Sequence, residues 1–394
     1  MDHMQLPETI TNLLKKALIG SKETIPLHAP SFRGNEWNYV KECLDTGWVS
    51  SVGKYVDQFE RQLADYTESQ YAIAVVNGTA ALHISLILGG VQPDDEVLIP
   101  SLTFVATANA VSYCGAVPHF VDVSMDTLGM DPYKLEQYLK SVTIVQSDGS
   151  VINKYSNRKI SAIVPMHTFG HPVDMDPLLD ISERYGIAVI EDAAESLGSY
   201  YKGRHTGNFG KLAALSFNGN KVMTTGGGGA ILTSDKGLAA AAKHLTTTAK
   251  QQHRWAFHHD TVGYNYRMPN INAALGCAQL ESLPDAIKRK RDLAERYSQI
   301  FSGVEGVKLF KEMPFAKSNY WLNALLLDTP DAALTERILE MTNEQGIMTR
   351  PIWTPMHKLS MFASCPRMDL SVTEALEASI INIPSSPSLL DSIV

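Results

Sequence analysis

The sequence predicts an α/β protein in which a mostly parallel sheet is covered by helices on both faces. Three observations predict it. Short apolar strand-like runs alternate with helical stretches from Tyr71 to Glu191. The chain has 394 residues, too many for one small core and enough for a large domain plus a smaller one. Its composition is that of a globular protein, 44% hydrophobic and 19% charged.

Residues 1 to about 24 read as a helical prefix with Leu13, Leu14, Ala17 and Leu18 on one face. Tyr71 to Val76 is an apolar strand, and Asn77-Gly78-Thr79 turns it into an apolar helix from Ala80 to Leu88. Strands are expected at Glu96–Pro100, Val117–Val123, Ile160–Pro165 and Ile187–Glu191. The helices between them are expected at Thr103–Tyr113, Pro132–Leu139 and Met175–Tyr185. Polar residues from Gln146 to Arg158 interrupt the pattern as a loop or surface hairpin. Ala230-Ile231-Leu232 is strand-like, Ala239–Thr247 is helical, and residues 249–262 form a polar, His-rich and aromatic loop. A long helix from Ile271 to about Phe301 carries Pro284, a point where it could break. Strand, helix and strand then recur at Asn323–Leu327, Leu334–Glu344 and Ile347–Arg350. The division that follows is a prefix at 1–24, a large domain at 25–270, and a linking helix with a small C-terminal domain at 271–394.

Bulk properties exclude several classes. A net charge of −8 leaves no basic surplus for nucleic acid. No apolar run reaches the ~18 residues of a membrane span, and the N-terminus lacks the apolar core of a signal peptide. A cytoplasmic protein is expected. Cys43, Cys114, Cys277 and Cys365 form no CxxC pair, so neither a zinc site nor a disulfide framework is indicated. His167 and His171 are spaced by four but lie at a strand end with no third ligand, and no metal is expected.

The chemistry centres on Lys221, in the run Ser216-Phe217-Asn218-Gly219-Asn220-Lys221 ahead of Gly226 to Gly229. A desolvated lysine can lose its proton and form a Schiff base with an aldehyde cofactor. Asp192 follows the strand Ile187–Glu191. A carboxylate at the C-terminal edge of a parallel strand points into the crevice where such sheets bind ligands, and it could pair with a protonated ring nitrogen. A loop-ordering aspartate or helix cap is the competing reading. The turn Asn77-Gly78-Thr79-Ala80 opens a helix, whose first N–H groups suit a phosphate. Phe104 sits just after a strand, where it could stack on a flat ring or start a helix as a core aromatic. Arg254, with His253, Trp255, His258 and His259, forms a loop cluster that is either solvated or in contact with an anionic substrate. The glycine fingerprints of nucleotide-binding folds are absent, which argues against a Rossmann oxidoreductase.

Five motifs occur in order: Asn77-Gly78-Thr79-Ala80-Ala81-Leu82, Pro100-Ser101-Leu102-Thr103-Phe104, Glu191-Asp192-Ala193-Ala194-Glu195, Ser216 to Lys221, and Gly263-Tyr264-Asn265-Tyr266-Arg267-Met268. Together they resemble the DegT-type sugar aminotransferases, pyridoxal 5'-phosphate enzymes of fold type I, from about Ile25 to the C-terminus. The resemblance implies that Lys221 holds the cofactor as a Schiff base and that Asp192 pairs with the pyridine nitrogen. It also implies that Phe104 stacks on the ring, and that Gly78, Thr79, Ala80 and Ser216 hold the phosphate. Asn265 would reach the phosphate from the neighbouring subunit of a homodimer with shared active sites. Glu195 stands where many members carry Gln or His near the cofactor's phenolic oxygen; an ionised Glu has no proton to donate there, which leaves its role open.

The activity implied is transamination from an amino-acid donor, by resemblance L-glutamate, to a keto sugar. A related branch that dehydrates sugars replaces the lysine with histidine, so Lys221 favours transamination. Residues 46–60 and the prefix look most like the branch acting on UDP-linked 2-acetamido-4-keto-6-deoxy sugars, with a GDP-linked 4-keto-6-deoxy sugar as the alternative. Lys54, Arg254 and His258 are candidates for the diphosphate. Arg350-Pro351-Ile352-Trp353 and His357 match a stretch that borders the sugar pocket. Another fold-type-I enzyme, such as a desulfurase or an amino-acid decarboxylase, would keep Lys221 and Asp192 but would not need the Gly263–Met268 motif. A cofactor-binding regulator without turnover would be expected to have lost one of the two.

Overall fold

The computed structural model describes residues 5–18 and 24–393. Its centre is a seven-stranded sheet. Across the sheet the strands run Tyr71–Val75, Gly229–Thr233, Leu212–Ser216, Ala188–Asp192, Ile160–Ile163, Glu96–Pro100 and Val117–Val121. Only Gly229–Thr233 runs against its neighbours, pairing Val75 with Gly229 and Ser216 with Gly229 on its two sides. The other six point the same way, as the helical crossovers between them require.

Alternate residues of each strand enter opposite cores, the two-residue period of a sheet buried on both faces. Ile73 and Val75 join Ala81, Leu82, Ala108 and Val111 on one face. Ala72 and Ala74 join Val56, Phe59, Ala273 and Cys277 on the other. The second face is covered by helices Glu36–Thr46, Lys54–Thr67 and Asn270–Ile300. The first of these ends where residues 46–60 begin and the second starts within them, and neither helix is among those expected from the sequence. The long helix runs unbroken through Pro284, whose missing N–H removes one bond of the ladder without ending it.

A four-stranded antiparallel sheet follows in the order Val307–Leu309, Asn323–Leu327, Ile380–Ile383 and Arg350–Pro351. The expected strand at Ile347–Arg350 is displaced to Arg350–Pro351, because Ile347 pairs with Ile25 instead. The prefix forms the helix Leu6–Ala17. Its apolar face, Leu6, Ile10 and Leu14, packs on Leu325, Ile338 and Tyr297 beside the second sheet. The parts of the prefix at residues 1–4 and 19–23 lie outside the described residues. The polar interruption is a hairpin, Thr143–Val145 against Val151–Asn153. Glu96 holds it down, accepting from Asn153 at 2.8 Å and Ser156 at 2.5 Å.

Candidate active site

The C-terminal ends of the parallel strands converge on one cleft. It is lined by Gly78 and Thr79, Phe104, Met166, Asp192 and Glu195, Ser216, Lys221, Trp321 and Trp353. The fold brings these together from five strand ends and from the second sheet, the position at which open α/β sheets bind ligands.

Asp192 is the last residue of its strand and is buried. The preceding Glu191 points to the opposite face, where it accepts from Gly207, Phe209 and Gly210 amides and from His167. That fully satisfied carboxylate fixes the strand that delivers Asp192. Asp192 Oδ2 accepts from Thr107 Oγ1 at 2.7 Å, and Oδ1 from the Ala194 amide at 3.2 Å. Burial raises its pKa, against the opposing pull of these bonds and of Lys221. A cation placed against it would offset that desolvation.

Lys221 Nζ lies 3.1 Å from Glu195 Oε1 and 3.8 Å from the centre of the Trp321 ring. Glu195 is buried, and its Oε2 accepts the Phe169 amide at 2.9 Å. Burial pushes its pKa up to about 7, although Lys221 and the Phe169 N–H pull it down. Trp321 is held from both ends: its Nε1 donates to Asn220 O at 2.7 Å, and its carbonyl accepts from the buried Lys290 at 3.0 Å.

Asn77 is extended and caps the helix Gly78–Gly89. Two close approaches set this turn. A Cβ on Gly229 would lie 2.5 Å from the Asn77 backbone, and one on Gly78 would lie 2.9 Å from Ser216 Cβ. The glycines therefore let Ser216, the Gly229 strand and the helix start close into one cradle. The Ala80 amide departs from expectation. It donates to Asn77 Oδ1 at 2.8 Å and so is already used as the cap bond. Gly78 and Thr79 remain the amides at the mouth of the helix, with Ser216 beside them.

Phe104 precedes the helix Val105–Tyr113 in extended backbone and is 50% exposed toward the cleft, 6.4 Å from the Trp353 ring. Four other expected residues fall elsewhere. Asn265 is exposed on a segment that lies along Tyr71–Val75, tied there by Arg267. Lys54 pairs with Glu42 in a separate cavity with Trp48 and Asn270. Arg254 is exposed over the Trp255 ring. His357 is buried with both ring nitrogens engaged, by Ser101 at 2.7 Å and Glu374 at 3.2 Å, and is not available to a sugar. Sequence reasoning missed Trp321 and Thr107. Thr107 could have been found: it is one helical turn past Thr103 in the helix that faces Asp192.

The chemistry of this donor set suits pyridoxal phosphate. It offers a lysine for the aldehyde, a buried carboxylate for the ring nitrogen, an aromatic for the ring face, and a helix mouth with a hydroxyl for the phosphate. A fold and site of this kind define a pyridoxal-phosphate-dependent transaminase. Residues 30–394 match the model of the DegT/DnrJ/EryC1/StrS aminotransferase family, and the chain belongs to that family. It is 39% identical over 365 residues to the GDP-perosamine synthase of Escherichia coli O157:H7, covering 93% of this chain and 94% of that protein. It is 37% identical over 370 residues to the GDP-perosamine synthase of Caulobacter vibrioides, covering 93% and 95%. Its structure is similar to that of the aminotransferase TlmJ from Streptoalloteichus hindustanus, with a TM-score of 0.82 and 27% identity over 92% of this chain and 93% of that one. The protein is a pyridoxal-phosphate-dependent sugar aminotransferase. Among the described residues no helix is long and apolar enough to cross a membrane.

Proposed function

We propose that this enzyme transfers an amino group from an amino-acid donor, L-glutamate, to C4 of a GDP-linked 4-keto-6-deoxy sugar. The observation that carries transamination is Lys221 facing Glu195 in the cleft that also holds Asp192. The similarity to two GDP-perosamine synthases over nearly the whole chain supports the GDP-linked sugar. It favours that reading over the UDP-linked one suggested by residues 46–60.

The cofactor, when bound, supplies an electrophilic aldehyde carbon and a ring that takes up the electrons released at the substrate carbon. Lys221 would hold that carbon at rest, and its amine, when free, would be the base that moves the proton of the substrate carbon. The keto sugar runs the same steps in reverse, so one lysine serves both half-reactions. Asp192, oriented by Thr107, would keep the ring nitrogen protonated. Phe104 would pack on the ring face, and Gly78, Thr79 and Ser216 would hold the phosphate. Glu195 balances the Lys221 ammonium and takes up a proton when that amine is neutral. Its raised pKa would let Glu195 carry a proton near pH 7 and donate it beside the phenolic oxygen.

The same reading makes the enzyme a homodimer. Asn265 is exposed and stands outside its own chain's cleft. Trp37, Leu44, Trp48 and Val52 are exposed on one segment, and Trp255, Phe257 and Val262 on another. Exposed apolar residues in such number suit a protein interface. A second copy covering them would bring Asn265, with Lys54, Arg254 and His258, toward the neighbour's cleft. The division of the chain after residues 24 and 270 belongs to this reading too. Replacing Lys221 with Ala tests the assignment: the loaded enzyme's cofactor absorbance and its turnover should vanish together, and normal turnover would overturn it.

A further inference from the structure

Ser101, His357 and Glu374 form a hydrogen-bonded row that the proposed chemistry does not use. Ser101 Oγ lies 2.7 Å from His357 Nδ1, and the His357 amide donates back to Ser101 Oγ at 3.4 Å. His357 Nε2 lies 3.2 Å from Glu374 Oε1. Burial lowers the His357 pKa, so the ring is neutral near pH 7. Its Nε2–H then donates to Glu374, and Nδ1 accepts from the Ser101 hydroxyl. The row has the composition of a hydrolase triad, but Ser101 is completely buried and no substrate carbonyl can reach it.

What the row does is close a circuit between the two sheets. Ser101 follows the strand Glu96–Pro100, and its amide donates to Val121 O at 3.0 Å. Asp122, next along from Val121, accepts from the Thr373 amide and hydroxyl at 2.8 Å each. Those bonds anchor the helix Ser371–Glu377, which carries Glu374. Glu374 holds His357, and the Met356 amide returns to Ser101 O at 2.8 Å. Two aromatics hang from this ring. Phe104 is three residues after Ser101, and Trp353 is four before His357. Their rings meet at 6.4 Å, and Trp353 also packs on Phe169 at 5.2 Å.

We propose that His357 is a positioning residue which, held by Ser101, sets Trp353 against Phe104 and so shapes the wall of the cleft on the side that receives the sugar. The assignment of that wall to the sugar rests on the function proposed above. A buried, doubly hydrogen-bonded imidazole has one permitted orientation, so the segment bearing Trp353 is fixed relative to the loop bearing Phe104.

The test compares wild type with His357→Leu, His357→Asn and Ser101→Ala, each loaded with cofactor. The half-reactions with L-glutamate and with the keto sugar are followed separately. Ser101→Ala serves if His357→Leu does not fold. His357→Leu and Ser101→Ala should raise the sugar KM roughly 10- to 100-fold while the glutamate half-reaction stays within about twofold of wild type. His357→Asn, which keeps a polar atom near the Nδ1 position, should recover most of the loss. Crystal structures of the cofactor-free variants should show Trp353 displaced and Phe104 in place in His357→Leu, and both rings in place in His357→Asn. An unchanged sugar KM, an equal fall in both half-reactions, or a His357→Asn as poor as His357→Leu would overturn the proposal. If no nucleotide-linked keto sugar reacts with wild type, the proposed function fails, and the ring positions still decide the clamp.

Discussion

Lys221 Nζ reaches Glu195 Oε1 across 3.1 Å, and the other Glu195 oxygen receives the Phe169 amide at 2.9 Å. The carboxylate is thus held between a reactive amine and a fixed dipole. Its pKa is raised to about 7 from 4.5, chiefly by burial. For a carboxyl raised in the folded state, the contribution to stability is complete below pH 4.5, where both states are protonated. It is lost as pH rises through 7, because the unfolded chain gives up its proton first. The stability of cofactor-free wild type relative to Glu195→Gln should therefore fall by on the order of a few kcal/mol between those limits, a difference in which the opposite contributions of the buried His171 and His205 cancel. Glu195→Gln lacks only this one contribution. Urea unfolding at a series of pH values checks it, and parallel curves for the two proteins would refute the shift.

Asp192→Asn should lower turnover roughly 100- to 1000-fold by removing the charge proposed to keep the ring nitrogen protonated. Thr107→Val leaves the charge but removes a 2.7 Å bond that orients it. Its effect should be smaller, roughly tenfold on cofactor affinity. Titration of cofactor into the unloaded variants separates the two. A Thr107→Val as damaging as Asp192→Asn would contradict the division of roles.

Gly229→Ala places a Cβ 2.5 Å from the Asn77 backbone, which has no side-chain freedom with which to yield. It should cost about 1–3 kcal/mol of stability and weaken cofactor binding together, since Asn77 opens the phosphate cradle. Asn77→Ala should cost about 1 kcal/mol through the lost helix cap. Thermal unfolding with and without cofactor reads both. A Gly229→Ala protein of native stability would show that the cradle is looser than its contacts imply.

Lys221→Ala and Asn265→Ala should each be inactive or impaired alone. Mixed and allowed to exchange subunits, they should regain activity, because a hybrid dimer contains one site with both residues intact. Recovery fails if Asn265 serves its own chain's cleft.

The residues that meet in the cleft were legible because each is tied to a local signal. Lys221 stands beside a glycine-rich turn, Asp192 ends an apolar strand, and Gly78 joins a strand to a helix. The parts that were not legible depend on contacts between distant segments. Ala80 is taken up by Asn77 as a cap, a choice between equivalent amides that only the backbone path decides. His357 looks like a sugar ligand in its own stretch, and only the approach of Ser101, 256 positions earlier, makes it a buried clamp. Trp321 is one apolar residue among several before the strand Asn323–Leu327, and no periodicity marks it as the ring beside Lys221. Lys54 pairs with Glu42 in a separate cavity and Arg254 lies over the Trp255 ring, placements that depend on segments far from either motif.

The proposed transfer of nitrogen in this cleft to a GDP-linked keto sugar is read most directly in a single half-reaction. The enzyme carrying the aminated cofactor, freed of donor, can be mixed separately with GDP-linked and UDP-linked 4-keto-6-deoxy sugars. Absorbance of the aldehyde form should return with the GDP-linked sugar, together with one equivalent of amino sugar per site. Return with the UDP-linked sugar alone, or with neither, would contradict the claim.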